Sequence, residues 1–292
     1  MSEPGRGAGR GGPPDELPDI AGALAWAREC IDLMDARVLL RHVLQCPASR
    51  LAAWPEQRLD AEDWLGFRAL VERRAAGEPV AYLTGEREFF GRNFMVTPSV
   101  LIPRPDTELL VELALAHCGD LRQLRVLDMG TGSGVLAITL ALELGQADVT
   151  ALDRSREALW VAMANAARLG ASVSFVQSDW FAALGDERFQ LIVSNPPYIA
   201  AEDPHLDQGD LRFEPRSALA AGVAGLDDLA EIVAGAARRL ESDGWLFLEH
   251  GWDQAVAVRG LLVDAGFASI ASWKDLAGIE RVSGGRWLGR ER

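Results

Sequence analysis

The sequence predicts an α/β protein: a doubly wound, mostly parallel sheet, preceded by a small helical domain and joined to it by a β-hairpin. Three observations carry this. From residue 125 onward, strand-sized apolar runs alternate with helical patterns, as crossover-connected parallel strands require. Residues 20–74 show helical periodicity only. Between these regions, "EFFGRNFMVT" sets a glycine between aromatic and apolar residues, a hairpin signal.

Taken in order, residues 1–18 are rich in Gly, Pro and Arg without periodicity and read as a disordered tail. Residues 19–86 read as the helical domain. There "LMDARVLLRHVLQ" places Leu33, Ala36, Leu39, Leu40 and Val43 on one face. A second helix is expected to begin at an Asp60 cap and to end before Gly77. Residues 87–106 read as the hairpin and a linker, in which Pro103 and Pro105 keep the chain extended. A helix then starts near Asp106 or Thr107. Residues 107–292 carry the sheet, with strands "RVLDM", "DVTALD", "VSFVQ", "FQLIVS", "GWLFLEH" and "SIASW" and a closing hairpin in "ERVSGGRWLG". The helix "SREALWVAMANAARLG" is framed by Ser155 as its N-cap and by Gly170 beyond its end.

Composition sets limits. The chain has 292 residues, 49% hydrophobic and 25% charged, which is globular usage. Its longest apolar runs, such as "VLAITLAL", are too short to cross a bilayer. The N-terminus carries Glu3, Asp15 and Glu16 and has no apolar core of a signal peptide. Cys30, Cys46 and Cys118 lack C-x-x-C spacing, so no zinc cluster or disulfide framework is expected. A reducing cytoplasm is therefore the expected compartment. A net charge of −14 argues against a grip on a nucleic-acid backbone, which needs a basic face.

The chemistry gathers at strand ends. In "DMGTGSGVLAI", Gly130, Gly132 and Gly134 let the backbone turn sharply and approach a ligand. Such a loop also occurs in nicotinamide and flavin enzymes, and it can simply pack strand on helix. Asp153 ends the next strand, where a carboxylate accepts from both hydroxyls of a ribose; the alternative is a cap on the following helix. Asp179 and Trp180 follow the third strand, with Trp180 either lining an adenine pocket or packing in the core. The fourth strand delivers Asn195-Pro196-Pro197-Tyr198 to the same edge.

This succession resembles class I methyltransferases that use S-adenosylmethionine to methylate a planar NH2 group. The lone pair of such a nitrogen is delocalised, which makes it a poor nucleophile. Two acceptors, the Asn195 side-chain oxygen and the Pro196 carbonyl, would each hold one N–H, while Pro197 stiffens the turn and Tyr198 packs on the planar group or near the sulfonium. Methyltransferases of adenine, of guanine in RNA and of protein glutamine all use such a turn, and the motif does not choose among them. A non-catalytic, cofactor-binding adaptor is the alternative from another class.

The choice comes from "GEPVAYLTGEREFFGRNFMVTPSVLIPRPDTELLVE", which resembles the joint of the peptide chain release factor glutamine methyltransferases. The stretches "DARVLLRHVL", "RFEPRSALAAGVAGL", "EHGWDQ" and "DLAGIERV" are similar to that family as well, with departures at Ser133 and around His250 and Ile279. The resemblance runs from about residue 20 to residue 290. It implies a Rossmann-like class I S-adenosylmethionine-dependent methyltransferase fold with a seven-stranded sheet. It also implies methyl transfer to the glutamine amide of the Gly-Gly-Gln loop in class 1 release factors. Gly130, Thr131, Gly132, Ser133, Gly134, Asp153 and Trp180 would hold S-adenosylmethionine, and Asn195 would touch cofactor and substrate. Pro196, Pro197 and Tyr198 would frame the glutamine, the helical domain would contact the release factor, and the protein would be a monomer. No metal and no direct contact with nucleic acid are expected.

Overall fold

The computed structural model describes residues 16–118 and 124–289. Most of the tail expected to be disordered, residues 1–15, lies outside the described residues. The chain divides into two compact units, Met1–Gly85 and Glu86–Arg292.

Among its described residues the first unit holds five helices: α1 (Ile20–Ala27), α2 (Leu33–Val43), α3 (Ala48–Ala53), α4 (Ala61–Ala75) and α5 (Val80–Thr84). Side chains of Asp19, Asp32 and Asp60 accept backbone N–H groups at the starts of α1, α2 and α4, so the Asp60 cap forms as expected. On the expected face of α2, Ala36, Leu39 and Leu40 are fully buried, while Leu33 and Val43 at its ends are half-buried. They pack with Phe67 and Val71 of α4, and Trp26 meets Trp64 edge-on at 5.1 Å.

The second unit opens with a hairpin, β1 (Glu86–Phe89) and β2 (Arg92–Met95). Phe90 and Gly91 form its two-residue turn at φ 50° and 73°, the left-handed geometry that matches the twist of paired strands. Phe89 and Phe94 are buried in one core with α6 (Glu108–Cys118), which follows a 3-10 turn at Pro105–Thr107.

The remaining elements alternate: β3 (Arg125–Met129), α7 (Val135–Leu144), β4 (Asp148–Asp153), α8 (Arg156–Leu169), β5 (Ser174–Gln177) and β6 (Phe189–Ser194). After a long connection come α9 (Asp227–Arg239), β7 (Leu240–Glu249), α10 (Ala255–Asp264), β8 (Ala268–Lys274) and β9 (Glu280–Trp287). Among the described residues seven strands form one sheet in the order β5-β4-β3-β6-β7-β9-β8. Strands β3 to β7 pair in parallel, and β9 runs antiparallel between β7 and β8. Side chains alternate between faces: Val126 joins the core under α6 and α7, whereas Leu127 and Met129 join the core under α9 and α10. None of the described helices is long and apolar enough to cross a membrane.

One expected element is corrected. "ERVSGGRWLG" is a single strand, β9, rather than a hairpin. A Cβ on Gly284 would sit 2.4 Å from the Leu246 carbonyl oxygen, so the glycine permits close passage of β9 along β7. The hairpin turn falls earlier, where Ile279 N–H donates to Asp275 Oδ1 at 2.9 Å.

The order reverses at β3. The chain first steps outward to β4 and β5, then returns to place β6 on the other side of β3. The crevice at such a reversal is where ligands bind in open α/β sheets. Asn165 of α8 ties the hairpin to its rim: Oδ1 accepts from Met95 N at 2.7 Å, and Nδ2 donates to the carbonyls of Met95 and Ser133, each at 2.9 Å. The side chain is fully buried. Asn165→Ala, by stranding these backbone groups, is expected to lower the unfolding free energy by about 1–3 kcal/mol in urea denaturation.

Candidate active site

A cleft opens outside the carboxyl ends of β3, β4 and β6. Gly130, Gly132, Asp153, Trp180, Asn195 and Pro197 all line it, so residues from four separate stretches meet there. Thr131 and Ser133 line it as well. Gly134, Pro196 and Tyr198 are not among its lining residues.

The three glycines have left-handed φ of 71°, 55° and 86° but different surroundings. A Cβ on Gly132 would meet nothing within 4 Å, whereas one on Gly134 would lie 2.7 Å from Ile138 Cδ1 and 3.1 Å from Ala162 Cβ. Gly134 thus serves helix packing, and Gly132 leaves room in the loop itself. A Cβ on Gly130 would lie 3.6 Å from the Trp180 ring.

Two carboxylates hold the loop from either side. Buried Asp128 accepts from the Thr131 hydroxyl at 2.6 Å and from Ala137 N at 3.1 Å. Burial pushes its acid up to about 7, against the lowering effect of these hydrogen bonds. Asp153 accepts from Gly132 N at 2.9 Å through Oδ2 and from Ser155 N at 2.8 Å through Oδ1. Burial raises this acid too, opposed by the two N–H groups. Ser155 still caps α8, its Oγ accepting from Ala158 N at 3.1 Å. Asp153 therefore orders the glycine loop, a role the sequence did not suggest, while facing the cleft.

Trp180 has φ 41°, unfavourable for a bulky residue. Ser178 Oγ donates to its carbonyl at 2.7 Å, and the indole N–H reaches Asp228 at 3.3 Å. Trp180 lines the cleft and also packs against the core under α9 and α10, so both of its readings find a counterpart in the structure.

The Asn-Pro-Pro-Tyr turn leaves β6 directly beside the glycine loop. Ser194 Oγ donates to the Met129 carbonyl at 2.6 Å and ties the two strand ends together. Asn195 Nδ2 donates to Thr107 Oγ1 at 3.1 Å. The Tyr198 hydroxyl donates to Glu249 at 3.2 Å; burial and the adjoining Glu249 charge push the phenol upward. Gln254 Nε2 donates to the Tyr198 carbonyl at 2.9 Å. A Cβ on Gly225 would approach that carbonyl oxygen to 2.1 Å, so the turn is held on a side that only glycine fits.

Sequence reasoning did not single out Thr107, Glu249, Asp128 or Glu214. Glu249 ends β7, the strand beside β6, and extending the strand-end rule by one strand finds it. Glu214 is buried in the long connection, where it accepts from Ile102 N at 2.9 Å and pairs with Arg104. The stretch 200–217 supplies Pro215 and Ser217 to the cleft wall. His250 is buried between Gly251 and Ser283, away from the lining.

This sheet, with its glycine loop at the reversal point, defines a class I S-adenosylmethionine-dependent methyltransferase fold. A methyltransferase from Pyrococcus furiosus shares that fold with a TM-score of 0.52, 18% identity, and coverage of 76% of this chain and 98% of that one. Residues 105–210 match the methyltransferase small domain, and residues 23–85 match the PrmC N-terminal domain. The chain is 53% identical over 266 residues to the release factor glutamine methyltransferase of Burkholderia pseudomallei, covering 89% of this chain and 93% of that protein. It is likewise 53% identical over 253 residues to the one from Bordetella pertussis, covering 86% and 94%. It belongs to the release factor glutamine methyltransferase family.

The raised Asp128 acid makes stability pH-dependent. The unfolded chain loses this proton near pH 4 and the folded one near 7, so the buried charge costs stability progressively across that window. Asp128→Asn keeps an acceptor for Thr131 and Ala137 but does not titrate. Its unfolding free energy relative to wild type, read from urea curves between pH 4 and 7, is expected to rise by up to about 1.4 kcal/mol per pH unit.

Proposed function

We propose that the protein transfers the methyl group of S-adenosylmethionine to the side-chain amide nitrogen of the glutamine in the Gly-Gly-Gln motif of class 1 peptide chain release factors, in the cytoplasm. The observation that carries the reading is the placement of Asn195 on the cleft wall beside the glycine loop, with its Nδ2 engaged by Thr107. Family membership supports glutamine as the NH2 group, and the acidic chain supports a protein rather than a nucleic-acid partner.

The cleft fits the cofactor. Gly132 leaves open space, Asp153 offers carboxylate lone pairs toward the cleft, and the Trp180 indole supplies a flat apolar wall. When bound, S-adenosylmethionine supplies an electrophilic methyl group on a sulfonium. Asn195 Oδ1 and the Pro196 carbonyl accept one N–H each from the glutamine amide. This aims the nitrogen and favours its pyramidalisation as the new bond forms. Positioning of this kind contributes up to about 7–11 kcal/mol in favourable cases. Pro197 and Tyr198 frame the planar group. The helical unit recognises the release factor, and the enzyme acts as a monomer.

Labelled S-adenosylmethionine, offered with either a release factor or nucleic acid and followed by mass mapping, is expected to mark the glutamine; label on a nucleobase, or none, would overturn the reading. Asn195→Ala is expected to lower kcat by about 100-fold or more. Asp153→Ala is expected to weaken cofactor binding about 10–100-fold in calorimetry, and unchanged affinity would remove the ribose assignment.

A further inference from the structure

We propose that Glu214 is a positioning residue for Asn195, closing a ring of hydrogen bonds that runs through the long connection and the joint segment. The inference rests on Asn195 as the group that orients the substrate, but not on which NH2 group it orients.

Every link of the ring is a direct contact within the second unit. Immediately after Tyr198, Ile199 N donates to the Leu219 carbonyl and the Ile199 carbonyl accepts from Ala221 N, each at 2.9 Å. Residues 200–218 therefore leave the turn and return to it at one point. On the returning limb stands Glu214. One of its carboxylate oxygens accepts from Ile102 N at 2.9 Å, and the other pairs with the Arg104 guanidinium. The Arg104 carbonyl accepts from Thr107 N at 3.1 Å. Thr107 Oγ1 in turn accepts from Asn195 Nδ2, also at 3.1 Å. The circuit is then complete, from Asn195 through Thr107, Arg104, Glu214 and Ile199 back along the turn.

Glu214 is the link on which the connection depends. Between residues 204 and 218 the chain forms short 3-10 turns, without an α-helix or a strand to fix it. Arg154 supports it at the surface, donating to the Ser217 carbonyl at 3.0 Å. Glu214 supports it from inside. Its side chain is 0% exposed, so both of its charge-assisted contacts are made where water does not compete. Burial raises the acid against the pull of Arg104 and of the Ile102 N–H. The two segments it joins also line the cleft, through Pro103 and Arg104 on one and Pro215 and Ser217 on the other. Released from Glu214, the joint is free to shift at Arg104, and with it the turn that presents Thr107 to Asn195.

Glu214→Gln keeps the size of the side chain and loses the charge that holds Arg104. Three measurements separate positioning from general stability. Trypsin cleavage after Arg212 and Arg216 is expected to be about 10-fold faster in E214Q than in wild type, with cleavage after Arg125 in β3 unchanged. Without substrate or cofactor, the 15N-labelled Asn195 side-chain NH2, three hydrogen bonds away from Glu214, is expected to exchange with solvent about 10-fold faster in E214Q. At saturating S-adenosylmethionine, kcat is expected to fall about 10-fold in E214Q and about 10-fold in Thr107→Val. The double variant is expected to fall about 10-fold rather than 100-fold, because either change opens the same ring. Equal acceleration of cleavage at all three arginines, unchanged Asn195 exchange, wild-type kcat in E214Q, or losses that multiply in the double variant would each overturn the proposal. All variants are scored on whichever NH2 substrate the wild-type enzyme labels, so failure to label glutamine counts against the proposed function alone.

Discussion

Parallel pairing between β3 and β6 runs from Val126 opposite Leu191 to Met129 opposite Ser194, and the Ser194 hydroxyl donates to the Met129 carbonyl at 2.6 Å. Both strands therefore stop at one level. The glycine loop leaves one strand end and the Asn-Pro-Pro-Tyr turn leaves the other, a strand spacing of about 5 Å apart. A slip of this register would turn the alternating faces of β6 over and carry Asn195 away from the loop. Buried Leu127 and Ile192 on one face, with Val126 and Val193 on the other, hold the register from both sides of the sheet.

Upon that base the site is built mostly from buried acceptors. Asp128, Asp153, Glu214 and Glu249 each end or adjoin an element and each receive hydrogen bonds from a loop that would otherwise be free to move. Burial raises all four acids, so each carboxylate costs folding energy near neutral pH. In return the glycine loop, the joint segment at Ile102 and Arg104, and the Asn-Pro-Pro-Tyr turn are each tied to a carboxylate. A site that works by positioning needs such order.

Much of this was legible in the sequence. The caps at Asp60 and Ser155, the hairpin at Gly91, the alternation after residue 125 and the four strand-end motifs follow from local rules of period, capping and turn chemistry. What stayed hidden depends on residues far apart in the chain. Gly284 and Gly285 look like a turn because close passage of another strand leaves no mark in the local sequence. Thr107 lies 88 positions from Asn195 and Tyr198 lies 51 from Glu249, so no periodicity connects them. Asp153 was legible as a strand-end acid, yet its hold on Gly132 appears only when β4 stands beside β3.

The long-range partners also answer a chemical question that the motif leaves open. A clamp for an NH2 group must present oxygens only, and a backbone carbonyl such as that of Pro196 does so by construction. Asparagine does not, because its amide carries a donor as well as an acceptor. What stands behind it matters: Nδ2 donates to Thr107 Oγ1 at 3.1 Å, and with that end engaged Oδ1 is the end left over. At the far end of the turn the Tyr198 hydroxyl donates at 3.2 Å to Glu249, which ends β7, the strand next to β6. The two ends of the Asn-Pro-Pro-Tyr turn are thus held by partners from two other stretches of the chain, neither of them local in sequence.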